Sequence, residues 1–283
     1  MKMIRTIMEL RQTLAAVRSE GRQIGLVPTM GFLHDGHLSL IRRAAEENSL
    51  VVVSIFVNPL QFGPQEDYAA YPRDLPRDCS LAESAGADIV FAPEVEEMYP
   101  QASLTYVEIA VLGDELCGRS RPGHFRGVCT VVSKLLHIVQ PERAYFGRKD
   151  AQQLAIIQRM AEDLNFPVQI VPVPICREPD GLAMSSRNSY LSPEERSQAR
   201  VLFRALRESE QAFAAGERES RVFQARIKEL IEQIPGTQID YIEICATQTL
   251  QPVEQIDHQA LLALAVRFGR TRLIDNCLLT EEK

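Results

Sequence analysis

The stretch VPTMGFLHDGHLSL, residues 27–40, sets His34 and His37 three residues apart, just after a short apolar run and a Gly-containing bend. Beside a helix start, imidazoles can hold phosphate, because free backbone N–H groups and the positive end of the helix dipole already attract anions there. Gly31 and Gly36 would let the backbone come close to such a ligand. Two other readings compete. The pair could be half of a zinc site, although no third ligand stands at a motif-like distance, or it could be two surface histidines with no chemical task. A second stretch, DGLAMSSRNSYLS at 180–192, lines up Met184, Ser185, Ser186 and Arg187. Two hydroxyls and a guanidinium suit phosphate oxygens, though such a loop can also be a plain turn before a helix.

The elements that must position these groups follow from periodicity. IGLVPTM (24–30), LVVVSIFV (50–57), DIVFAP (88–93) and VQIVPVPI (168–175) read as strands. Helical patterns lie between them at roughly 8–20, 36–48, 74–85, 125–138 and 150–164. Alternation of this kind builds βα units on a parallel sheet, and the unbroken apolar run at 50–57 suits burial on both faces. His34 and His37 then stand at a strand's carboxyl end against a helix N-terminus, where open α/β sheets bind ligands. The texture changes after about residue 176. Ser192, Pro193 and Glu195 form a capping-box signature opening a helix to about 214, and a second helix runs from about 218 to Pro235. IDYIEICA, ALLALAVRFG and TRLIDNCLL follow as three strands, the last two joined at Gly269 as a hairpin. The expected fold is α/β: a Rossmann-like doubly wound parallel sheet in residues 1–176 that binds the nucleotide, and a smaller α+β lid domain in 177–283.

Composition narrows the function. Against 31 Lys and Arg stand 38 Asp and Glu, a net charge of −7 that disfavours broad nucleic-acid binding without excluding a local basic pocket. Six cysteines form no CxxC pair and no ligand spacing, so they read as reduced, mostly buried thiols. The start, MKMIRTIMEL, breaks its apolar residues with charges and lacks the core of a signal peptide. No run is long enough to span a bilayer. A soluble, cytoplasmic protein is expected. No GxGxxG follows a strand, which argues against a dinucleotide-dependent dehydrogenase.

Paired with MSSR, the HDGH segment resembles the superfamily of HxGH nucleotidylyltransferases and class I aminoacyl-tRNA synthetases. Three more stretches, FVNPLQFGPQEDYAAYPRD (56–74), RPGHFRGVCTVVSKLLHIVQP (121–141) and YFGRKDAQQLAIIQRM (145–160), make the chain resemble the pantoate–β-alanine ligase family along its length and in order. That resemblance implies condensation of (R)-pantoate with β-alanine, driven by ATP through a pantoyl adenylate, in the pathway to coenzyme A. It implies that Met30, Gly31, Phe32, Leu33, His34, Asp35, Gly36 and His37 hold ATP. Gly147, Arg148, Lys149, Asp150, Met184, Ser185, Ser186 and Arg187 would complete the nucleotide site, with the backbone of Cys176 at the adenine. Gln61 and Gln153 would bind pantoate, and Gln61 would also face β-alanine. His37 would be a proton donor or transition-state stabiliser, aided by His34, Lys149 and Arg187.

The resemblance also implies Mg2+ on the phosphates, with Asp150 as a candidate ligand, and a homodimer. Where the family usually has GEKD, this chain has GRKD, which puts any role for the acid at Arg148 in doubt. Arg121 and His124, in the RPGH turn, are further candidates for the site or for loop structure. The chemistry itself favours amides over acids around pantoate, because a primary amide both donates and accepts without repelling a carboxylate. Three rivals stay open: a nucleotidylyltransferase with another acceptor, a catalytically silent nucleotide sensor, and a tRNA ligase, the last disfavoured by the acidic charge.

Overall fold

In a computed structural model the structure describes residues 1–64 and 66–281, so Gln65 of the 56–74 stretch lies outside the described residues. The strands β1 Lys2–Ile4, β2 Ile24–Thr29, β3 Leu50–Ile55, β4 Ile89–Phe91, β5 Arg143–Gly147 and β6 Gln169–Val173 make one sheet in the order β1-β4-β3-β2-β5-β6. Every neighbouring pair in it is parallel. Between these strands run α1 Ile7–Ser19, α2 Asp35–Glu47, α3 Leu75–Ser84, α4 Val95–Met98, α5 Cys117–Ser120, α6 His124–Val139 and α7 Ala151–Asp163. Three more helices follow: α8 Pro193–Gln198, α9 Val201–Ala214 and α10 Ser220–Glu232. An antiparallel sheet closes the chain with β7 Thr237–Cys245, β8 Gln259–Phe268 and β9 Thr271–Thr280.

The period-2 alternation of strands sorts the core into two layers. Leu26 and Val52 turn to one face of the parallel sheet and pack with Leu14 of α1, Val132 of α6 and Ile157 of α7. Val27, Val51 and Val53 turn to the other and meet Leu38, Ile41 and Ala44 of α2 and Ala82 of α3. That is the doubly wound arrangement expected from the run LVVVSI, five of whose six residues are buried. The antiparallel sheet is likewise two-sided. Leu262, Leu264 and Val266 face α9 and α10, while Leu261 and Ala263 join the core under α6.

Besides the four-residue helices α4 and α5, which the sequence reading does not contain, three elements depart from it. β1 and β5 have no alternating pattern of their own; β1 is three residues long, and β5 opens on a charged Arg143 but is buried between β2 and β6. The helix opened by the Ser192 capping box ends at Gln198, and a turn at Ala199–Arg200, with Ala199 fully buried, redirects the chain into α9. Three of the six thiols, Cys117, Cys129 and Cys245, are buried, the other three half-buried, and all six are free. No helix among the described residues is long and apolar enough to cross a membrane.

One contact sets the geometry of the site to come. The short 3-10 turn Pro59–Gln61 lies directly on α6 at Gly127, where an added Cβ would stand 2.2 Å from the Leu60 carbonyl oxygen. Asn58 fastens the same turn, its Nδ2 donating to the Gly127 carbonyl at 3.1 Å and to Gln61 Oε1 at 3.2 Å. Tyr99 in turn donates its hydroxyl to Asn58 Oδ1 at 2.9 Å. Alanine usually improves a helix interior over glycine by about 1 kcal/mol. Here Gly127→Ala is expected to destabilise by about 1–3 kcal/mol through overpacking, measured by denaturant unfolding. An equal or higher stability would show that the turn can move off the helix freely.

Candidate active site

The strand order reverses between β2 and β5: from β2 the chain builds outward through β3 and β4, whereas β5 and β6 lie on its other side. Open α/β sheets bind ligands in the crevice beyond such a switch. The segment after β2 carries the two histidines, and the turn after β5 is GRKD.

Both histidines act as caps on α2. His34 is the N-cap residue, and its Nδ1 accepts from the Gly36 N–H at 3.1 Å, while the His34 N–H donates to Nδ1 of His37 at 3.3 Å. This is a capping box built of imidazoles where Ser and Glu are usual. The rings lie 4.1 Å apart. Because each Nδ1 accepts, each ring carries its proton on Nε2, which is left to donate to whatever enters. A Cβ on Gly36 would come within 2.9 Å of the His34 ring, so the glycine between the histidines is what admits that ring. Upstream, Phe32 sits at φ 50, and the buried carboxylate of Asp78 on α3 accepts from the N–H groups of both Phe32 and Leu33 at 2.7 Å. Burial pushes the Asp78 carboxyl up, and those two N–H bonds oppose the shift. Asp78 was not legible as a site-building residue; it lies far beyond His37 in a pattern that reads only as a helix start.

The GRKD turn is held from the far end of the chain. Asn276 of β9 donates its amide N–H groups to the carbonyls of Arg148 and Lys149 at 3.0 and 2.8 Å. Its neighbour Asp275, fully buried, takes the Arg177 guanidinium in a two-pronged pair at 2.6 and 3.0 Å. Arg177 also donates to the Gly181 carbonyl at 3.1 Å, so one strand braces both the GRKD turn and the loop leading into MSSR. Buried ion pairs of this kind fix geometry more surely than they add stability.

A cavity of about 220 Å³ opens at the switch point. Met30, His34, Gly36 and His37 line it from the first segment; Gly147, Lys149 and Asp150 from the second; Cys176, Met184, Ser185, Ser186 and Arg187 from the third. Gln61 and Gln153 reach it as well. Five expected residues do not line it: Gly31 and Leu33 are buried behind the turn, Phe32 lies under the Arg77 guanidinium at 5.3 Å, and Asp35 and Arg148 are exposed. Arg148, the departure from GEKD, therefore points away from the cavity. The two glutamines of α7 divide their work. Gln152 is buried, donating to the carbonyls of Leu112 and Glu115 and accepting from the Cys117 N–H, while Gln153 faces the cavity. Phe56, Val128, Val131 and Leu135 supply an apolar wall that the sequence did not single out.

A larger cavity of about 540 Å³ adjoins the first, with Lys149, Asp150, Gln153, Ser185 and Arg187 in their common wall. Arg121, His124 and the hairpin arginines Arg267, Arg270 and Arg272 line it too. Among the described residues no three His, Cys, Asp or Glu side chains gather as a metal site, so the zinc alternative for the histidine pair finds no further ligands.

The family model described as pantoate-beta-alanine ligase matches residues 2–278. The pantothenate synthetase of Desulfitobacterium hafniense strain DCB-2 is 60% identical over 273 residues, covering 96% of this chain and 97% of its own length. That of Moorella thermoacetica is 57% identical over 279 residues, covering 99% of each. Among solved structures, the pantothenate synthetase of Thermus thermophilus superposes with a TM-score of 0.94 at 48% identity, covering 99% of this chain and all of its own. The ligase of Francisella tularensis, solved with an ATP compound and β-alanine, superposes at 0.81 with 34% identity, covering 99% and 98%.

Burial, with Lys149 nearby, pushes His34 down to about 4, and burial together with His34 pushes His37 well below its ordinary value of 6.5. Folding thus favours the neutral rings: their stabilisation is intact above the unfolded pKa of about 6.5 and is lost as pH falls from there toward 4. In the ligand-free protein, His34→Asn, which keeps a capping side chain, should therefore shrink the fall in unfolding free energy between pH 6.5 and 4 by about 1–2 kcal/mol, allowing for solvent screening. Denaturant titrations across that range check it, and an unchanged profile would contradict the neutral ring at position 34.

Proposed function

Because the chain belongs to the pantoate–β-alanine ligase family, we propose that the cavity at the switch point is where it joins these two substrates. The enzyme condenses (R)-pantoate with β-alanine, converting ATP to AMP and pyrophosphate, through a pantoyl adenylate. The observation that carries the site assignment is the convergence on one cavity of His34, His37, Lys149, the Ser185–Arg187 loop and the amides of Gln61 and Gln153.

Pantoate has a polar end and two methyl groups, and the cavity has both kinds of wall. The amides of Gln61 and Gln153 take the hydroxyls and carboxylate, and Phe56, Val128, Val131 and Leu135 take the methyls. Held there, the carboxylate attacks the α-phosphorus in line and pyrophosphate departs. Charge builds on the phosphoryl oxygens, where the Nε2–H groups of His34 and His37, the Lys149 ammonium and the Arg187 guanidinium stand as fixed donors. Neutral imidazoles serve here without being charged first. In the second step the amine of β-alanine, freed of its extra proton, attacks the acyl carbon; a C–N bond forms, the acyl C–O bond breaks, and AMP leaves with the oxygen.

The residues fit Mg2+ held chiefly by substrate phosphates: Asp150 offers one half-exposed carboxylate 3.9 Å from the Lys149 ammonium, and Mg2+ commonly takes one or two carboxylates beside phosphate oxygens. Bound, the ion would neutralise the departing pyrophosphate. In this reading residues 1–176 carry ATP and pantoate, and 177–283 close over them. Six free thiols suit a reducing compartment, and the cytoplasm is the proposed location.

The same reading includes a homodimer. The segment Leu104–Ile109 belongs to no helix or strand and leads into a turn at Ala110–Val111; Leu104 is 95% and Val111 57% exposed, and exposed apolar residues of this kind are what a second chain covers. Leu104→Asp should shift the molar mass by light scattering from dimer toward monomer; a monomeric parent would end the dimer reading.

His37→Ala and Lys149→Ala should each slow pantoyl-adenylate formation by about a hundredfold or more, since one preorganised donor contributes ~3 kcal/mol. An AMP-release assay with ATP, pantoate and β-alanine, omitting each in turn, and circular dichroism for folding check this. Wild-type turnover in either variant would remove that residue from the chemistry.

A further inference from the structure

We propose that Arg121 is the residue that reads the carboxylate of β-alanine, and that Glu66 occupies it as a stand-in while the substrate is absent. The inference rests on the ligase reading above and deepens it. β-Alanine differs from a simple alkyl amine by its carboxylate, and a site that selects it needs a cation at the right distance from the amine. Gln61, a neutral amide, cannot supply that charge. Lys149 and Arg187 are committed to the nucleotide.

Arg121 is the half-buried guanidinium that remains beside Gln61, with 18% of its side chain exposed. Its Nη2 lies 3.5 Å from the Gln61 backbone carbonyl oxygen, so the charge sits beside the residue whose side chain lines the smaller cavity. β-Alanine spans about 4 Å from amine nitrogen to carboxyl carbon, given bonds of about 1.5 Å. Arg121 and His124 line the larger cavity, which shares Lys149 and Gln153 with the pantoate cavity, so an amine entering from that side meets the acyl group at the common wall.

The guanidinium already grips a carboxylate. Nε and Nη2 of Arg121 donate to the two oxygens of Glu66 at 2.5 and 2.8 Å, the forked geometry a substrate carboxylate would take. His124 holds the fork in place: its Nδ1–H donates to the Gln61 carbonyl at 2.8 Å, and its Nε2 accepts from Arg121 Nη1 at 3.0 Å. Glu66 lies on the loop between Phe62 and Asp74, and the next residue, Asp67, holds Arg187 in the same two-pronged way at 3.2 and 3.1 Å. One loop thus presents two carboxylates to two guanidinia in the lining of the larger cavity, and one of those guanidinia, Arg187, lines the smaller cavity as well.

The test uses the full chain and three variants, R121Q, R121K and E66Q, with two assays: pantoate-dependent exchange of pyrophosphate into ATP, which reports the first step alone, and AMP release with β-alanine or with β-alaninamide, which has the amine and no carboxylate. R121Q should raise KM for β-alanine at least tenfold and move the exchange rate far less. Its preference for β-alanine over β-alaninamide should collapse, with R121K recovering part of it and E66Q lowering KM for β-alanine. Retention of the parental preference in R121Q, or an unchanged or raised KM in E66Q, would overturn the proposal. Failure of the parent to exchange pyrophosphate would instead count against the ligase reading itself.

Discussion

Two neighbouring parallel strands that leave the sheet in opposite directions cannot both cover their carboxyl ends, and this constraint at β2 and β5 is what the site depends on. The gap so created is lined by the segments that follow the two strands. One supplies the paired histidines, the other the GRKD turn, and the sheet fixes their separation before any side chain takes part. Backbone N–H groups at the start of α2 then need partners, and the imidazoles provide them. Capping thereby uses one nitrogen of each ring and leaves the opposite one, Nε2, free to meet a ligand. The arrangement orients Nε2 without a separate carboxylate to hold the ring, which is the more common device for a working histidine.

Much of this was legible in the residues. The run at 50–57, the histidine spacing after an apolar strand, and the Ser192 capping box each carry a local physical signature; the first two gave elements close to those observed, and the third gave the start of a helix but not its end. β5 did not, because RAYFG is short and opens on a charge; its strand character comes from having β2 and β6 on either side. The turn within 193–214 was invisible for a similar reason, since both halves are good helix and only the burial of Ala199 separates them.

The site divides along the same line. Groups that line the cavity announced themselves by type and spacing: His34 and His37, the hydroxyls of the MSSR loop, and the amides once the flanking motifs were set beside a family pattern. Groups that hold those residues in place did not. Asp78, Asn58, Gly127 and Asn276 act across long stretches of sequence through one or two hydrogen bonds or a missing Cβ, and nothing local marks an Asp, Asn or Gly for such work. The apolar wall from α6 was hidden differently, because valines and leucines that line a cavity and those that fill a core look alike in a helical pattern. Arg148 shows the converse: where the family usually has an acid, this chain carries an exposed side chain that does not line the cavity.

The amide of Asn276 joins the carbonyls of Arg148 and Lys149 across more than a hundred residues of intervening chain. On a ribosome, domains tend to fold in the order they emerge, and the parallel sheet is complete once β6 has been made. The GRKD turn would still lack its clasp at that moment. A nascent chain can therefore possess its entire Rossmann-like layer and still leave the backbone of Lys149 unclasped until β9 has been made and has packed against the turn.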